Sequence, residues 1–291
     1  ANHQMFKNEL GENYVIASCY NGLLLGGGAY TLCRMILGHI AERSEGIEDF
    51  KKNKLPYVMD VMAKYMDARI AFEVEQSGFF EANFLAKEGL IHRDRFTGMF
   101  GLVGLADAVN ILMTKEGKND RFGHSDAATQ LGVEIMDIIN DFNNNHFNKY
   151  CEGTGGHFLL PAQVGSAEDK GIAPGTRIPI GEGPEEVVGH HDGISHFHKY
   201  FVSGTGDIFP MDLTVHKNPE YVLDIIKGSW QKGIRYLSFY SSESDVIRIT
   251  GYLVKRSEIE KYEQGIAVLQ NTTQLGTGAK HNGKILERKV R

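Results

Sequence analysis

The densest set of side chains able to do chemistry is the run His190-His191-Asp192-Gly193-Ile194-Ser195-His196-Phe197-His198. Imidazoles and a carboxylate packed this closely could hold zinc or a non-haem iron. The spacing matches neither His-Glu-x-x-His nor another defined metal pattern. The simpler reading is a loop or helix start in which Asp192 caps and the histidines make ordinary hydrogen bonds. No metal site is therefore assigned. The other reactive side chains are three cysteines, Cys19, Cys33 and Cys151. An odd count in a chain of this length cannot be a disulfide framework, and without a Cys-x-x-Cys pair it cannot be a zinc ribbon. Free thiols point to a reducing cytoplasm.

Glycine is the unusual residue, at 34 of 291 positions against a typical ~7%. It clusters at Gly22 and Gly26-Gly27-Gly28, at Gly98, Gly101 and Gly104, at Gly153, Gly155 and Gly156, and at Gly204 and Gly206. Such clusters permit close approaches that a Cβ would block, as expected of loops threaded through a crowded interior. None is a phosphate cradle. Gly28 stands where a P-loop lysine belongs, and Gly153-Thr154-Gly155-Gly156 lacks the dinucleotide spacing.

The formal charge is −6 and no basic stripe stands out, so nucleic-acid binding is not expected. No apolar run approaches the ~20 residues that span a bilayer, so no membrane association is expected either. The start Ala1-Asn2-His3-Gln4 has neither an initiator Met nor signal-peptide character, which suggests that the chain begins inside a longer polypeptide.

The elements that must position these residues alternate between strand and helix. Tyr14-Val15-Ile16-Ala17 predicts a strand that runs into the loop Ser18-Cys19-Tyr20-Asn21-Gly22. Helical spacing is read from Tyr30 to Ser44 (Leu32, Met35, Ile36 and Ile40 on one side), from Pro56 to Gln76, and from Asp126 to Phe142 after the cap Ser125. Between Glu152 and Gly189 the periodicity fades into a long loop with turns at Pro174-Gly175 and Gly183-Pro184. Strands are then expected at 207–215, 234–240 and 246–250, and helices at 219–232 and 257–270. This alternation argues for a largely parallel α/β architecture without internal repeats or a domain boundary.

The segment Asp245-Val246-Ile247-Arg248-Ile249-Thr250-Gly251-Tyr252 taken alone is a strand ending at a glycine turn. Arg248-Ile249-Thr250-Gly251-Tyr252 resembles the C-terminal signature of glycyl radical enzymes. That family sets ahead of it a Ser-Gly-x-Gly turn, a strand, a helix and a second strand. Here these correspond to Ser203-Gly204-Thr205-Gly206, Ile208 to Val215, Pro219 to Gly233 and Ile234 to Tyr240. The block Arg95-Phe96-Thr97-Gly98-Met99-Phe100-Gly101-Leu102-Val103-Gly104-Leu105 resembles a stretch of anaerobic ribonucleotide reductases. As a helix it would bring its glycines to one close-packed face. Together with Ala17-Ser18-Cys19-Tyr20-Asn21-Gly22 and the end Glu287-Arg288-Lys289-Val290-Arg291, the chain most resembles the YjjI-like branch of glycyl radical enzymes, which has no assigned substrate.

The resemblance implies half of a ten-stranded α/β barrel of the glycyl radical enzyme and anaerobic ribonucleotide reductase type. Residues 1–291 would be one C-terminal catalytic portion, with a cysteine loop near 15–28 and a radical segment near 234–291. It implies that Gly251 stores a backbone radical under anaerobic conditions, Cys19 relays it as a thiyl to a small-molecule substrate, and Arg248 and Tyr252 hold the glycine loop. Cys33, on the stretch read as helix, is taken as a small buried hydrophobe, and Cys151 borders a loop. No cofactor is expected to be bound. A separate S-adenosylmethionine-dependent iron–sulfur activase would install the radical, an N-terminal half-barrel on the same or another chain would complete the fold, and a homo-oligomer is expected. Departures from better-known members narrow the chemistry. Ser18 replaces the first of two adjacent cysteines, which speaks against acyl transfer by that route. Asn21 stands where lyase relatives carry a glutamate base and cannot take a proton. Three cysteines cannot build the reductases' four-cysteine zinc site. The reaction, of lyase or transferase type, stays unassigned. The alternative from a different class is a non-catalytic radical-carrying subunit or repair part for a partner chain.

Overall fold

The computed structural model describes residues 2–4, 13–17, 21–161, 172–179, 182–184, 186–207, 209–211, 213–241, 245–249 and 252–266. Cys19 and Gly251 lie outside them. The chain opens with β1 (Asn2–Gln4), followed by β2 (Tyr14–Ala17) and β3 (Asn21–Leu24). β2 and β3 pair antiparallel from Tyr14↔Leu24 to Ala17↔Asn21. β4 (Gly28–Ile36) then leads into the short helix α1 (Leu37–Glu42).

Two parallel ladders carry the α/β character. β4 pairs parallel with β5 (Phe96–Val103), and every residue of β5 is buried. A parallel bridge from Met99 to Leu159 extends that ladder beyond β5. Later in the chain β6 (Phe209–Met211) pairs parallel with β7 (Tyr236–Ser241), and β1 adds antiparallel to β7.

Helices cover these ladders. α2 (Leu55–Glu75) begins with Pro56 in its first turn, where no amide hydrogen is missed, and buries Leu55, Met59, Met62, Ala63, Met66 and Ile70. α3 (Leu105–Lys115) starts after Gly104, whose φ of +74° favours glycine. α4 (Asp126–Asn145) is capped as expected, with the Ser125 hydroxyl accepting from the Ala128 amide at 3.3 Å. α5 (Val187–Ser195) closes the long loop. α6 (Pro219–Gln231) is capped by Asn218, which accepts from Tyr221. β8 (Val246–Ile249) and β9 (Tyr252–Lys255) form an antiparallel pair before α7 (Arg256–Glu263).

Three sequence expectations are corrected here. The stretch 30–44 is strand through Ile36 and helix only from Leu37, so Cys33 stands on β4, half-buried against the core. The block 95–105 is a strand over 96–103, not a helix. A buried parallel strand is apolar on both faces and lacks alternation, so glycines spaced by three imitate a helical face. In the strand, Gly98 and Gly101 relieve different neighbours. A Cβ on Gly98 would lie 2.5 Å from the Phe158 ring, and one on Gly101 would lie 2.6 Å from the Cys33 carbonyl oxygen. Among the described residues, the strand expected over 207–215 is β6, and Leu213–Lys217 forms a 3₁₀ turn instead.

Gly101→Ala is expected to destabilise the fold by about 2–3 kcal/mol, because the obstructing atom belongs to the backbone of the neighbouring strand and cannot rotate away. Gly228→Ala, in mid-helix with nothing within 4 Å of the added Cβ, is expected to stabilise it by about 0.5–1 kcal/mol. Denaturant midpoints of the two variants should move in opposite directions.

Candidate functional site

The turn Ser203-Gly204-Thr205-Gly206-Asp207 lies between the His cluster and β6 and is buried throughout. It is held from three directions. From the long loop, the Thr176 hydroxyl lies 2.6 Å from that of Thr205, and the Arg177 guanidinium donates two hydrogen bonds to the Gly206 carbonyl at 2.9 and 2.8 Å. From α5, His190 Nε2 lies 3.1 Å from Asp207 Oδ2, an oxygen that also accepts from the Ile178 amide. From the start of β7, the Arg235 guanidinium donates to the Phe201 carbonyl at 2.7 Å. Gly204 has φ +77°, and a Cβ there would meet His198 Nδ1 at 2.4 Å. Only glycine fits this corner.

The strand pair that brackets Cys19 packs against this turn. A Cβ on Gly22, in β3, would lie 2.5 Å from Val202 Cγ1, so the backbone of β3 rests directly on the residue before Ser203. The far end of β3 rests on the turn at Glu152–Thr154, where Leu24 would lie 2.4 Å from a Cβ on Gly153. β3 is thus packed at both ends, while Ser18, Cys19 and Tyr20 lie outside the described residues. Further along, Ile249 of β8 pairs with Tyr252 of β9, with Thr250 and Gly251 between them in the chain and outside the described residues. Asp245 accepts from the amide and hydroxyl of Ser257 at 2.9 and 2.5 Å, fastening the start of β8 to the first turn of α7. The second strand, β9, was not legible behind the glycine turn.

The other two cysteines occupy structural positions. Cys151 is fully buried and burial pushes its thiol pKa up, away from thiolate chemistry. Cys33 lies with its sulfur 3.7 Å from the Thr31 hydroxyl, on the face packed against the core.

The His cluster does not converge on one point. His190 binds Asp207, His191 Nδ1 lies 2.7 Å from the Ser229 hydroxyl on α6, and His198 Nδ1 accepts from the amides of Thr205 and Arg235 at 3.2 and 3.1 Å. Among the described residues no group of three His, Cys, Asp or Glu side chains is placed to hold a metal ion. Asp192 stands inside α5 and pairs with Lys232, so it does not cap the helix.

Burial lowers the pKa of His191 to about 4 and of His198 to about 3. Both are neutral in the folded protein, and two backbone amides on His198 Nδ1 place its proton on Nε2. An unfolded imidazole titrates near 6.5, so below that pH the unfolded chain binds protons that the native fold refuses. Stability from these two groups is complete above about pH 6.5 and is lost as pH falls toward 4 and 3. Unfolding equilibria measured at pH 7, 6 and 5 are expected to show uptake of up to two protons. A pH-independent stability across that window would contradict the placement of both rings.

Comparison with known proteins agrees with this architecture. A family model described as "Glycyl radical enzyme YjjI-like" matches residues 1–291. The chain belongs to the YjjI-like glycyl radical enzyme family. A Haemophilus influenzae protein is 44% identical over the whole chain, and the Escherichia coli protein YjjI is 41% identical over 96% of it. The chain spans about half the length of these relatives, 57% and 53% respectively. Among solved structures, an anaerobic ribonucleotide reductase from Thermotoga maritima superposes with a TM-score of 0.62 over 85% of this chain and 47% of its own, at 18% identity. The fold is that α/β barrel type, and the share covered is that of a half-barrel. Among the described residues no helix is long and apolar enough to cross a membrane.

Sequence reasoning found the Ser203–Gly206 turn through the resemblance but missed what holds it. Thr176, Arg177, His198 and Arg235 come from segments that the chain pattern gives no reason to connect.

Proposed function

We propose that this chain is the C-terminal catalytic portion of a glycyl radical enzyme in which Gly251 stores the radical and Cys19 relays it to a small-molecule substrate. The observation that carries the reading is membership of the family over residues 1–291; the order of the chain, Cys19 first and Gly251 near the end, is the order that the resemblance implies. The antiparallel pairs on either side of the two residues support it, since each delivers a short connection between paired strands.

The chemistry follows from the residue types. Loss of one hydrogen atom from the Gly251 α-carbon leaves a radical delocalised over the flanking amide groups, provided that the centre can flatten. Glycine alone has no side chain to resist this in a packed loop. The Gly251 radical then takes the hydrogen atom of the Cys19 S–H bond, restoring the Cα–H bond and leaving a thiyl. The thiyl takes a hydrogen atom from a substrate C–H bond, and the product radical takes one back from the re-formed thiol. The thiyl left on Cys19 then takes the α-hydrogen of Gly251, which restores the thiol and returns the radical to Gly251, so atoms and electrons balance over the cycle.

The enzyme needs no bound cofactor under this reading. A radical S-adenosylmethionine iron–sulfur activase removes the first hydrogen atom, and an N-terminal half-barrel, on the same or another chain, closes the substrate space. Its setting is the anaerobic cytoplasm, because oxygen attacks the stored radical. Asn21 pairs with Ala17 beside the cysteine loop. An amide at that position supplies no base, so elimination by the route of relatives with a glutamate there is not proposed. A role as a mere radical-carrying part accounts for Gly251 but leaves Cys19 without a purpose. The test is anaerobic incubation of the full-length protein with its activase and S-adenosylmethionine. An electron paramagnetic resonance signal split by one α-hydrogen supports the reading, and its absence with a competent activase overturns it.

A further inference from the structure

Gly22 is a glycine for a reason that lies outside its own strand. It stands inside β3, paired with Ile16 in the β2–β3 ladder. Its φ is not in the left-handed region, so its backbone is one that any residue adopts. What excludes a side chain there is Val202. A Cβ on Gly22 would meet Val202 Cγ1 at 2.5 Å and Val202 Cβ at 2.9 Å. Carbon atoms in contact stand about 3.5–4.0 Å apart. The backbone of β3 therefore lies directly on this one side chain.

Val202 is held in turn from the other side. The buried Arg235 guanidinium donates to the carbonyls of Phe201 and Val202 at 2.7 and 3.4 Å, and the Arg235 amide donates to His198 Nδ1 at 3.1 Å. Arg235 stands immediately before β7, and β7 is followed in the chain by the β8–β9 pair. Val202 is thus where the β2–β3 hairpin meets the strand that leads to β8. Each of these two strand pairs is joined by a short connection that contains one residue of the proposed relay. Cys19 precedes Gly22 by three residues, so their α-carbons are within about 11 Å of each other. Ala17 and Asn21, which flank the cysteine connection, are themselves paired, so a shift of β3 is passed to that connection at both ends.

We propose that Val202 is a positioning residue. Through its contact with Gly22 it sets the β2–β3 hairpin against β7, and so the distance over which Cys19 and Gly251 exchange a hydrogen atom. The inference rests on the assignment of those two residues to the relay. Transfer of a hydrogen atom demands near contact, and a misplacement of about 1 Å can cost about 100-fold in rate. Relief of the contact that a Cβ on Gly22 would make demands a shift of about that size.

The relay is read in activated full-length protein as the rate at which the radical glycine takes up deuterium after dilution into deuterium oxide, since the thiol hydrogen exchanges with solvent. Gly22→Ala is expected to store the radical to the same extent as the parent and to slow the uptake by about 100-fold. Gly22→Ala combined with Val202→Gly removes both carbons that the new Cβ would meet, and should return the rate toward that of the parent. A parent that forms no radical or takes up no deuterium overturns the relay, and this inference with it. If the parent takes up deuterium and Gly22→Ala keeps pace, the relay stands and the positioning role is overturned. Slow uptake that Val202→Gly does not reverse overturns it too, because the loss then arises elsewhere than at this contact. Should Gly22→Ala fail to fold, Val202→Ala decides. It takes away the atom nearest β3, so slower uptake supports the proposal and uptake at the parent rate overturns it.

Discussion

Full-length protein carrying Cys19→Ala is expected to accept the radical on Gly251 and to lose turnover by at least about 1,000-fold, equivalent to roughly 4 kcal/mol in the barrier. Storage needs only the glycine α-carbon, whereas attack on substrate needs a thiyl. The same difference can be read without knowing the substrate. A thiol hydrogen exchanges with solvent, so reversible transfer between Cys19 and Gly251 in deuterium oxide replaces the α-hydrogen of the glycine by deuterium. The splitting of the radical signal should collapse in the parent protein and persist in Cys19→Ala. Cys33→Ala and Cys151→Ala should behave as the parent, because one thiol packs against the core from β4 and the other is buried. Persistent splitting in Cys33→Ala would move the relay to β4.

The second large effect is that of Gly251→Ala, which is expected to abolish the radical signal altogether. A Cβ hinders flattening of the centre and crowds a packed loop. Folding should be little affected if Gly251 has a negative φ and weakened if φ is positive, since alanine adopts only the first at low cost. Thermal unfolding of the unactivated variant separates this conformational effect from loss of the radical. A variant that folds as the parent yet holds no radical is the outcome that ties storage to the glycine itself.

How far the fold could be read from the chain depended on burial. α2 and α4 were legible because each has one buried face, with Pro56 at the start of one and Ser125 capping the other. β2 and β7 stood out as short β-prone runs. β4 and β5 did not. β5 is buried along its whole length, and along β4 buried and exposed residues do not alternate, so the period-two pattern that marks a strand is missing from both. The accidental spacings of Leu32, Met35, Ile36 and Ile40, and of Gly98, Gly101 and Gly104, then resemble a helix. At the site the local Ser-Gly-Thr-Gly turn could be recognised, whereas its supports could not. Thr176 reaches Thr205 across 29 positions and His198 reaches Arg235 across 37, distances over which no local pattern carries information. His191 and His198 were legible as potential ligands, and only their burial and individual partners reveal them as neutral framework groups.

The central claim is that the radical resides on Gly251. In this family oxygen adds to the α-carbon radical and the backbone breaks at that glycine. The most direct measurement is therefore the mass of the fragments formed when activated full-length protein is exposed to air. A C-terminal fragment that begins at the Gly251 position and contains residues 252–291 is predicted, absent from unactivated protein and from Gly251→Ala. Cleavage at any other glycine, or an undiminished fragment from Gly251→Ala, would contradict it.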